Sequence, residues 1–292
     1  MLETWTVVDV LDTGEQAEVA SLIVSIERSG DEALTEAQRD RLDAGTPVRH
    51  ALRRSGEGEL TGYAVLGDEM FVEAEPALGT FDLGLAELLE HEPGPVSLLL
   101  RDFGPGAEAP LLSRGWHVTR TLHRLSRPLP ADPPPPHLFE VRAFEPGHDD
   151  EAWVTENNEA FAGHPTQGSM TVERLRARFS APWFDPGGFL LFFEAELLVA
   201  SCWTKLHPVP GGAVGEIYVV SVSPKAQGRG LGRIAVLEGL SSLTAHGASS
   251  AELYVEASNT AAHALYDDLG FTFASRVVEL VWRGEHPAAE QS

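Results

Sequence analysis

The stretch Gln227-Gly228-Arg229-Gly230-Leu231-Gly232-Arg233 decides the fold. Its three glycines and two arginines directly follow the apolar run Glu216 to Val222 and the breaker pair Ser223-Pro224. Glycines let a backbone take positive φ and approach a ligand closely. Leu231, Ile234, Ala235, Leu237 and Leu240 then recur at helical spacing, and Gly247 stands where a left-handed cap would end the helix. A helix starting near Gly230 leaves its first amides without partners and turns its positive dipole end to the loop. With Arg229 and Arg233 beside them, those amides make an anion cradle. A purely structural glycine turn is the alternative that the loop alone leaves open.

Around the cradle, the second half reads as a mixed sheet with helices on it. Helical patterns cover Glu151 to Phe161 and Thr171 to Phe179, and strand patterns cover Gly188 to Glu194, Leu197 to Lys205 and Val214 to Val222. After the cradle helix come strand Ala251 to Val255, helix Asn259 to Leu269 closed by Gly270, and strand Phe271 to Val281. The first half has the same order, with strands at Trp5 to Val10, Pro47 to Arg53, Leu60 to Leu66, Glu69 to Ala74, Val96 to Leu100 and Val118 to Leu125. Its helices are expected at Glu15 to Arg28, Thr35 to Ala44 and Phe81 to Glu90, with a short one before Gly115. Gly115-Trp116 plays the part of Gly270-Phe271, so the chain looks like a tandem repeat of one fold. The expected class is α/β (α+β), two domains each with a mixed, mostly antiparallel central sheet flanked by helices. The run Arg127-Pro128 to Pro136 favours an extended polyproline path. Residues 1–127, a proline-rich linker 128–137 and residues 138–292 are the expected divisions.

The two halves differ where it matters. Laying Pro76 over Pro224 puts Gly79, Phe81 and Asp82 at the positions of Gln227, Arg229 and Gly230. No arginine remains, and Asp82 opposes an anion. Laying Gly115 over Gly270 puts Leu111 at the Tyr266 position and Gly104 at that of Asn259. The first half is expected to do no chemistry, and to be structural or to wall an acceptor cleft.

Bulk properties narrow the partners. With 292 residues, 43% hydrophobic and 22% charged, the chain has material for two ordinary cores. A formal charge of -23 repels phosphate backbones, so no nucleic-acid partner is expected. No apolar run is long enough for a membrane helix and the N-terminus lacks a signal-peptide pattern. A cytoplasmic, membrane-free monomer is expected. Cys202 is the only cysteine, which excludes an intrachain disulfide, and its apolar context reads as an inert thiol. No metal is expected.

The pattern Gln227-x-x-Gly230-x-Gly232 after a strand, followed by Asn259-x-x-Ala262-x-x-x-Tyr266 on a helix closed by Gly270-Phe271, resembles the GNAT N-acetyltransferases. Longer stretches resemble the mycothiol synthases, tandem members of that family. These are Gly215 to Val220 with Ser223-Pro224, Leu253-Tyr254-Val255-Glu256, Trp203 to Pro208, and Asn157-Asn158 with Phe161 and His164-Pro165. The resemblance implies an acetyl-CoA-dependent transfer to the cysteinyl amine of cysteinyl-glucosaminyl-inositol, a small-molecule acceptor. It implies that Gln227 to Arg233 hold the diphosphate, that the backbone of Val220, Ser221 and Val222 pairs with the pantetheine arm, and that Asn259, Thr260, Ala261, Ala262, His263 and Ala264 flank the cofactor. Glu216 is the implied base, acting through water, and Tyr266 the implied proton donor to sulfur. Lys205, Tyr254 and Glu216 are implied acceptor contacts.

Plainer roles stay open for several of these. Glu216 also suits a solvated strand position, Tyr266 a core tyrosine, Lys205 a surface strand site and Tyr254 a cross-strand packing partner. Two positions depart from the family pattern. Thr166 stands where His-Pro-Glu-Gln-Gly is common, and Ser29, with Asp31 close by, stands where the first domain offers another carboxylate to substrate. Thr166 and Asp31 are the nearest candidates for those contacts. An acetyltransferase for another amine, such as an aminoglycoside or a protein N-terminus, and a non-catalytic acetyl-CoA-binding module are the competing readings.

Overall fold

The computed structural model describes residues 4–28, 48–67, 72–76, 82–92, 94–101, 104, 106–162, 168–181 and 183–284. Contacts divide the chain into two compact units. The first comprises Met1–His123, Glu256–Ser258 and Ser275–Ser292, the second Arg124–Val255 and Asn259–Ala274. The helix expected at Thr35 to Ala44 lies outside the described residues.

The first unit runs β1 (Thr4–Val8), α1 (Thr13–Arg28), β2 (Arg49–Arg54), β3 (Leu60–Leu66), β4 (Val72–Pro76), α2 (Leu83–Leu89), β5 (Val96–Arg101) and α3 (Ala109–Ser113), and ends in the start of β6 (His117–Pro128). Strands β1 to β4 pair antiparallel in order, and β4 then pairs parallel with β5. Leu85, Ala86 and Leu89 of α2 pack on Leu98 and Leu100 of β5, because apolar positions in α2 recur at helical spacing while β5 is apolar nearly throughout.

The second unit holds the Arg124–Pro128 end of β6, then β7 (Glu140–Ala143), α4 (Asp150–Ala160), α5 (Val172–Ala177), β8 (Phe189–Glu194), β9 (Leu197–Val209), β10 (Gly212–Val222), α6 (Leu231–Ala245), β11 (Ser250–Glu256) and α7 (Thr260–Asp268). Its sheet order is β6-β11-β10-β9-β8-β7, antiparallel from β7 to β10 and parallel between β10 and β11. Both units thus carry the same pairing scheme, as expected for a repeat. Each helix that follows the fourth strand of its unit starts at the aligned position, Leu83 in one and Leu231 in the other.

The boundaries differ from those expected of residues 138–292. The last strand, β12 (Thr272–Trp282), leaves the second unit after Ala274, and its Val277–Trp282 segment pairs antiparallel with Val96–Arg101 of β5. Val278, Leu280 and Trp282 belong to the first unit's core, where Trp282 lies 6.1 Å from Trp116. Alternating apolar residues define a strand but not the neighbour it pairs with, so this crossing carries no local signal. The proline-rich run is also no free spacer. Leu129 and Ala131 pack against the second unit's core, and His137 Nε2 lies 3.1 Å from Glu238 Oε1 on α6.

Strand β9 extends four residues past the expected end at Lys205. Pro208 is tolerated there because β8 pairs with β9 only up to Trp203, leaving that side of the extension unpaired. The hairpin to β10 turns at Pro210-Gly211, with Gly211 at φ 88°.

Helix α6 is apolar on most sides and is sunk into the sheet, with Ile234, Ala235, Leu240 and Leu243 buried. Its close approach depends on Gly239, where a Cβ would stand 2.5 Å from Cys202 Sγ and 3.0 Å from Ile217 Cδ1. We expect Gly239→Ala to destabilise the second unit by about 1–3 kcal/mol through overpacking, read as a lower denaturant midpoint with an unchanged slope.

Candidate active site

The site is built on the way β10 parts from its neighbour. β10 pairs parallel with β11 over Val214–Glu216 opposite Ser250–Glu252, yet continues to Val222. Its other edge stays paired with β9, from Glu216 opposite Lys205 to Val222 opposite Ala200, with a bulge between Ile217 and Val219. Past Glu216, therefore, no strand among the described residues pairs with the β11-facing backbone edge of β10, the geometry by which a sheet edge captures a strand-like ligand.

The open edge leads into the glycine loop. Ser223-Pro224 breaks the strand, a single 3-10 turn spans Pro224–Ala226, and Gly228 and Gly230 take φ of 75° and 76°. Gly230 is the N-cap of α6 and supplies no side-chain acceptor, so the amides of Leu231, Gly232 and Arg233 start the helix uncapped. Nothing lies within 4 Å of a Cβ placed on Gly228 or Gly230, so these glycines are needed for their φ and the loop faces open space. Gln227 folds back, Nε2 donating to Val222 O at 3.3 Å. Neither arginine points into the loop. Arg229 makes a two-pronged pair with Glu194 at 2.9 and 2.6 Å, and Arg233 pairs with Asp268. Exposed pairs of this kind are weak and readily exchanged for a stronger anion.

Tyr266 lies on α7, whose first turn is capped by Asn259, its Oδ1 accepting from Ala262 N at 3.1 Å. Thr260, Ala261, His263 and Ala264 share that first stretch of helix, with Ala262 packed on the unit's core. The Tyr266 ring is partly buried, edge-on to Phe271 at 5.8 Å. Burial, with a smaller contribution from Cys202, pushes its phenol up to about 12. It keeps its proton throughout the physiological range. Burial likewise pushes the Cys202 thiol up to about 12, in keeping with an inert core thiol.

The implied acceptor contacts share one face of the sheet. Lys205 and Glu216 are direct register partners, as are Glu216 and Glu252, and Tyr254 follows Glu252 on the same face. Lys205 is buried rather than a surface residue. Its Nζ sits 3.9 Å from the Trp183 ring centre and 3.5 Å from that of Tyr218, a cation–π cage that the sequence did not single out. Glu216 Oε2 lies 2.8 Å from His207 Nε2. His207 falls within the stretch Trp203 to Pro208, for which the resemblance implies a role only at Lys205. Thr166 and Asp31 lie outside the described residues.

Another carboxyl lies in a buried network on this same face, since Ser201 and Lys205 fall on one side of β9. Trp153 Nε1 donates to Ser201 Oγ at 2.9 Å, Ser201 and Ser221 share a bond of 2.7 Å, and Ser221 donates to Glu156 Oε2 at 2.5 Å. Burial pushes the Glu156 carboxyl up to about 7 against the opposing effect of the Ser221 bond.

The aligned position in the first unit is built differently. Asp82 is the N-cap of α2, and its Oδ1 accepts from Leu85 N at 3.1 Å and from Trp5 Nε1 at 2.7 Å. Arg53 closes on Oδ2 at 2.6 Å. A side-chain carboxylate therefore already holds the place that an anion would take. Leu111, at the position aligned with Tyr266, is fully buried in the core.

Residues 119–271 match the acetyltransferase (GNAT) family. Over nearly its whole length the chain is similar to proteins named mycothiol acetyltransferase. It is 39% identical to that of Geodermatophilus obscurus over 94% of this chain and 96% of the relative. To that of Thermobispora bispora it is 40% identical over 91% and 95%. The chain belongs to the mycothiol acetyltransferase family of GNAT enzymes. The fold agrees with solved structures. A GCN5-related N-acetyltransferase from Sphaerobacter thermophilus gives a TM-score of 0.68 at 22% identity, covering 98% of each chain. A tandem GNAT protein from the clavulanic acid biosynthesis pathway gives 0.63 at 14% identity, covering 98% of this chain and all of that one. As a member of the mycothiol acetyltransferase family the chain is an acyltransferase, and GNAT acetyltransferases draw their acetyl group from acetyl-CoA. The open β10 edge, the uncapped α6 amides and the empty space at Gly228 and Gly230 fit that cosubstrate. Among the described residues no helix is long and apolar enough to cross a membrane, and no cluster of three or more His, Cys, Asp or Glu is placed to hold a metal.

Glu156 gives a pH test of the buried network. Its carboxyl is protonated in the folded chain up to about 7, against an ordinary 4.5, so the folded state binds the extra proton between those values. Stability from this group is complete below about 4.5 and is lost as pH rises through about 7. We expect Glu156→Gln, which cannot ionise, to gain stability relative to wild type between pH 5 and pH 8, by up to roughly 3 kcal/mol. Unfolding midpoints of both proteins across that range check it.

Proposed function

We propose that the second unit transfers the acetyl group of acetyl-CoA to the cysteinyl amine of cysteinyl-glucosaminyl-inositol. The reading rests above all on the parting of β10 from β11 just past Glu216. That opening puts an unpaired strand edge between an amide cradle at one end and a carboxylate at the other. The backbone of Val220, Ser221 and Val222 binds the pantetheine arm along this edge, while the α6 amides and Gln227 to Gly232 take the diphosphate. Arg229 and Arg233 leave Glu194 and Asp268 for the incoming phosphates, and Asn259 to Ala264 flank the cofactor from the start of α7.

Glu216 removes a proton from the acceptor ammonium through water. An α-amine titrates near 8, about 2.5 units below a lysine side chain, so a carboxylate suffices as base where a lysine acceptor would demand more. Tyr266, with its phenol raised to about 12, donates a hydrogen bond to the departing sulfur and stabilises its charge. Lys205 and Tyr254, on the Glu216 face, meet the sugar-inositol part. Thr166 and Asp31 remain the proposed further contacts. A surface of net charge -23 suits a small cationic acceptor.

We expect Glu216→Gln and Tyr266→Phe to lower kcat by about 100-fold or more while acetyl-CoA affinity stays within about threefold of wild type. Steady-state kinetics with cysteinyl-glucosaminyl-inositol, paired with calorimetric CoA binding, check both. Full turnover in either variant removes that residue from the chemistry, and absence of wild-type activity on this acceptor but not on another amine removes the acceptor assignment.

We also expect one CoA per chain, because Asp82 fills the aligned place in the first unit. A calorimetric stoichiometry of two would overturn this.

A further inference from the structure

The reaction as proposed has to dispose of a proton. Acetylation of an ammonium forms the N–C bond, breaks the C–S bond and strips two protons from nitrogen. One ends on the CoA sulfur and the other must reach solvent in every turnover. Glu216 takes that second proton, and its side chain is only 14% exposed. A carboxyl that kept the proton could not act again.

His207 stands between Glu216 and water. Its Nε2 is 2.8 Å from Glu216 Oε2, and its side chain is 38% exposed, so accessibility rises from carboxylate to imidazole. It owes this place to the extension of β9 past Trp203, beyond which β8 no longer pairs with the strand. Among the described residues, the charged groups beside the pair include Lys205, across from Glu216 in register, and Glu252, which accepts from Arg124 at 2.9 Å. Imidazole has two ring nitrogens and can receive a proton at one while losing one from the other.

We propose that His207 is the proton exit of the transferase, receiving at Nε2 the proton that Glu216 takes from the acceptor and losing one from Nδ1 to solvent. The inference rests on Glu216 being the base. No oxidant, metal or further reactant enters, and solvent exchange resets the ring for the next turnover. In this role His207 acts through Glu216.

The test uses the full chain with His207→Ala and His207→Gln, assayed at low concentration of a poorly diffusing buffer on the amine that wild type acetylates best. His207→Gln keeps a donor facing Glu216 and cannot carry a proton, which separates relay from simple positioning. Both variants are expected to lose about tenfold or more in kcat, with acetyl-CoA affinity unchanged. Added imidazole is expected to raise the His207→Ala rate in proportion to its concentration while leaving wild type and Glu216→Gln unaffected. Wild-type kcat in His207→Gln, or a loss in His207→Ala that imidazole does not relieve, overturns the exit. Unimpaired turnover in Glu216→Gln overturns the base itself. An inactive Glu216→Gln beside two fully active His207 variants overturns the exit alone.

Discussion

Everything in the second unit depends on one strand having two kinds of edge. β10 is held to β9 along its length, yet to β11 only as far as Glu216. Were the parallel pairing to run on to Val222, the backbone groups there would be satisfied inside the sheet and no extended ligand could join it. The unpaired edge has to be held rigidly from behind, and α6 does this by lying close enough on β9 and β10 that even one methyl at Gly239 would collide with Cys202. The same helix presents its first amides at the end of that edge. Strand and cradle are therefore aligned by one packing contact.

A second consequence follows from the β9–β10 hairpin. Its turn at Pro210-Gly211 sets Lys205 opposite Glu216 and leaves His207 one step nearer the open end. The site's gradient from buried to exposed is thus a property of strand length. Lys205 is inside, caged by Trp183 and Tyr218, Glu216 is half-way out, and His207 is at the rim. A buried ammonium over two aromatic faces is fixed in place, which suits a group that orients a polar acceptor more than one that moves.

Much of this was legible from residue order. The glycine loop after a strand, the α6 apolar spacing and the Asn259–Tyr266 interval each encode their geometry locally, and the structure forms the elements within a few residues of their expected ends. The His207–Glu216 contact was also within reach, since a turn at Pro210-Gly211 fixes which strand residues face each other. That register sets His207 opposite Val214 and so diagonal to Glu216, in a part of β9 beyond the strand end expected at Lys205. What no local pattern encodes is the choice of partner for β12, or the meeting of Trp183 with Lys205 from a separate loop. Both are set by tertiary packing between residues far apart in the chain.

The two units share a pairing scheme and a helix start, so their difference in chemistry has to be local. At the N-cap of α6 stands Gly230, with positive φ and no side chain, and at the matching cap of α2 stands Asp82. A glycine leaves the helix amides to an external anion at the cost of a weaker helix end. An aspartate satisfies an amide internally, and here it also takes Trp5 and Arg53 as partners, which ties β1 and β2 to the helix. The first unit gains a stable helix end by the same contacts that exclude a phosphate. The second keeps its cradle open and is steadied instead by the sinking of α6 into the sheet. One position thus separates an open helix end from a closed one, and opening a cradle in the first unit would require removing Asp82 and supplying positive charge that Phe81 and Gly79 do not carry.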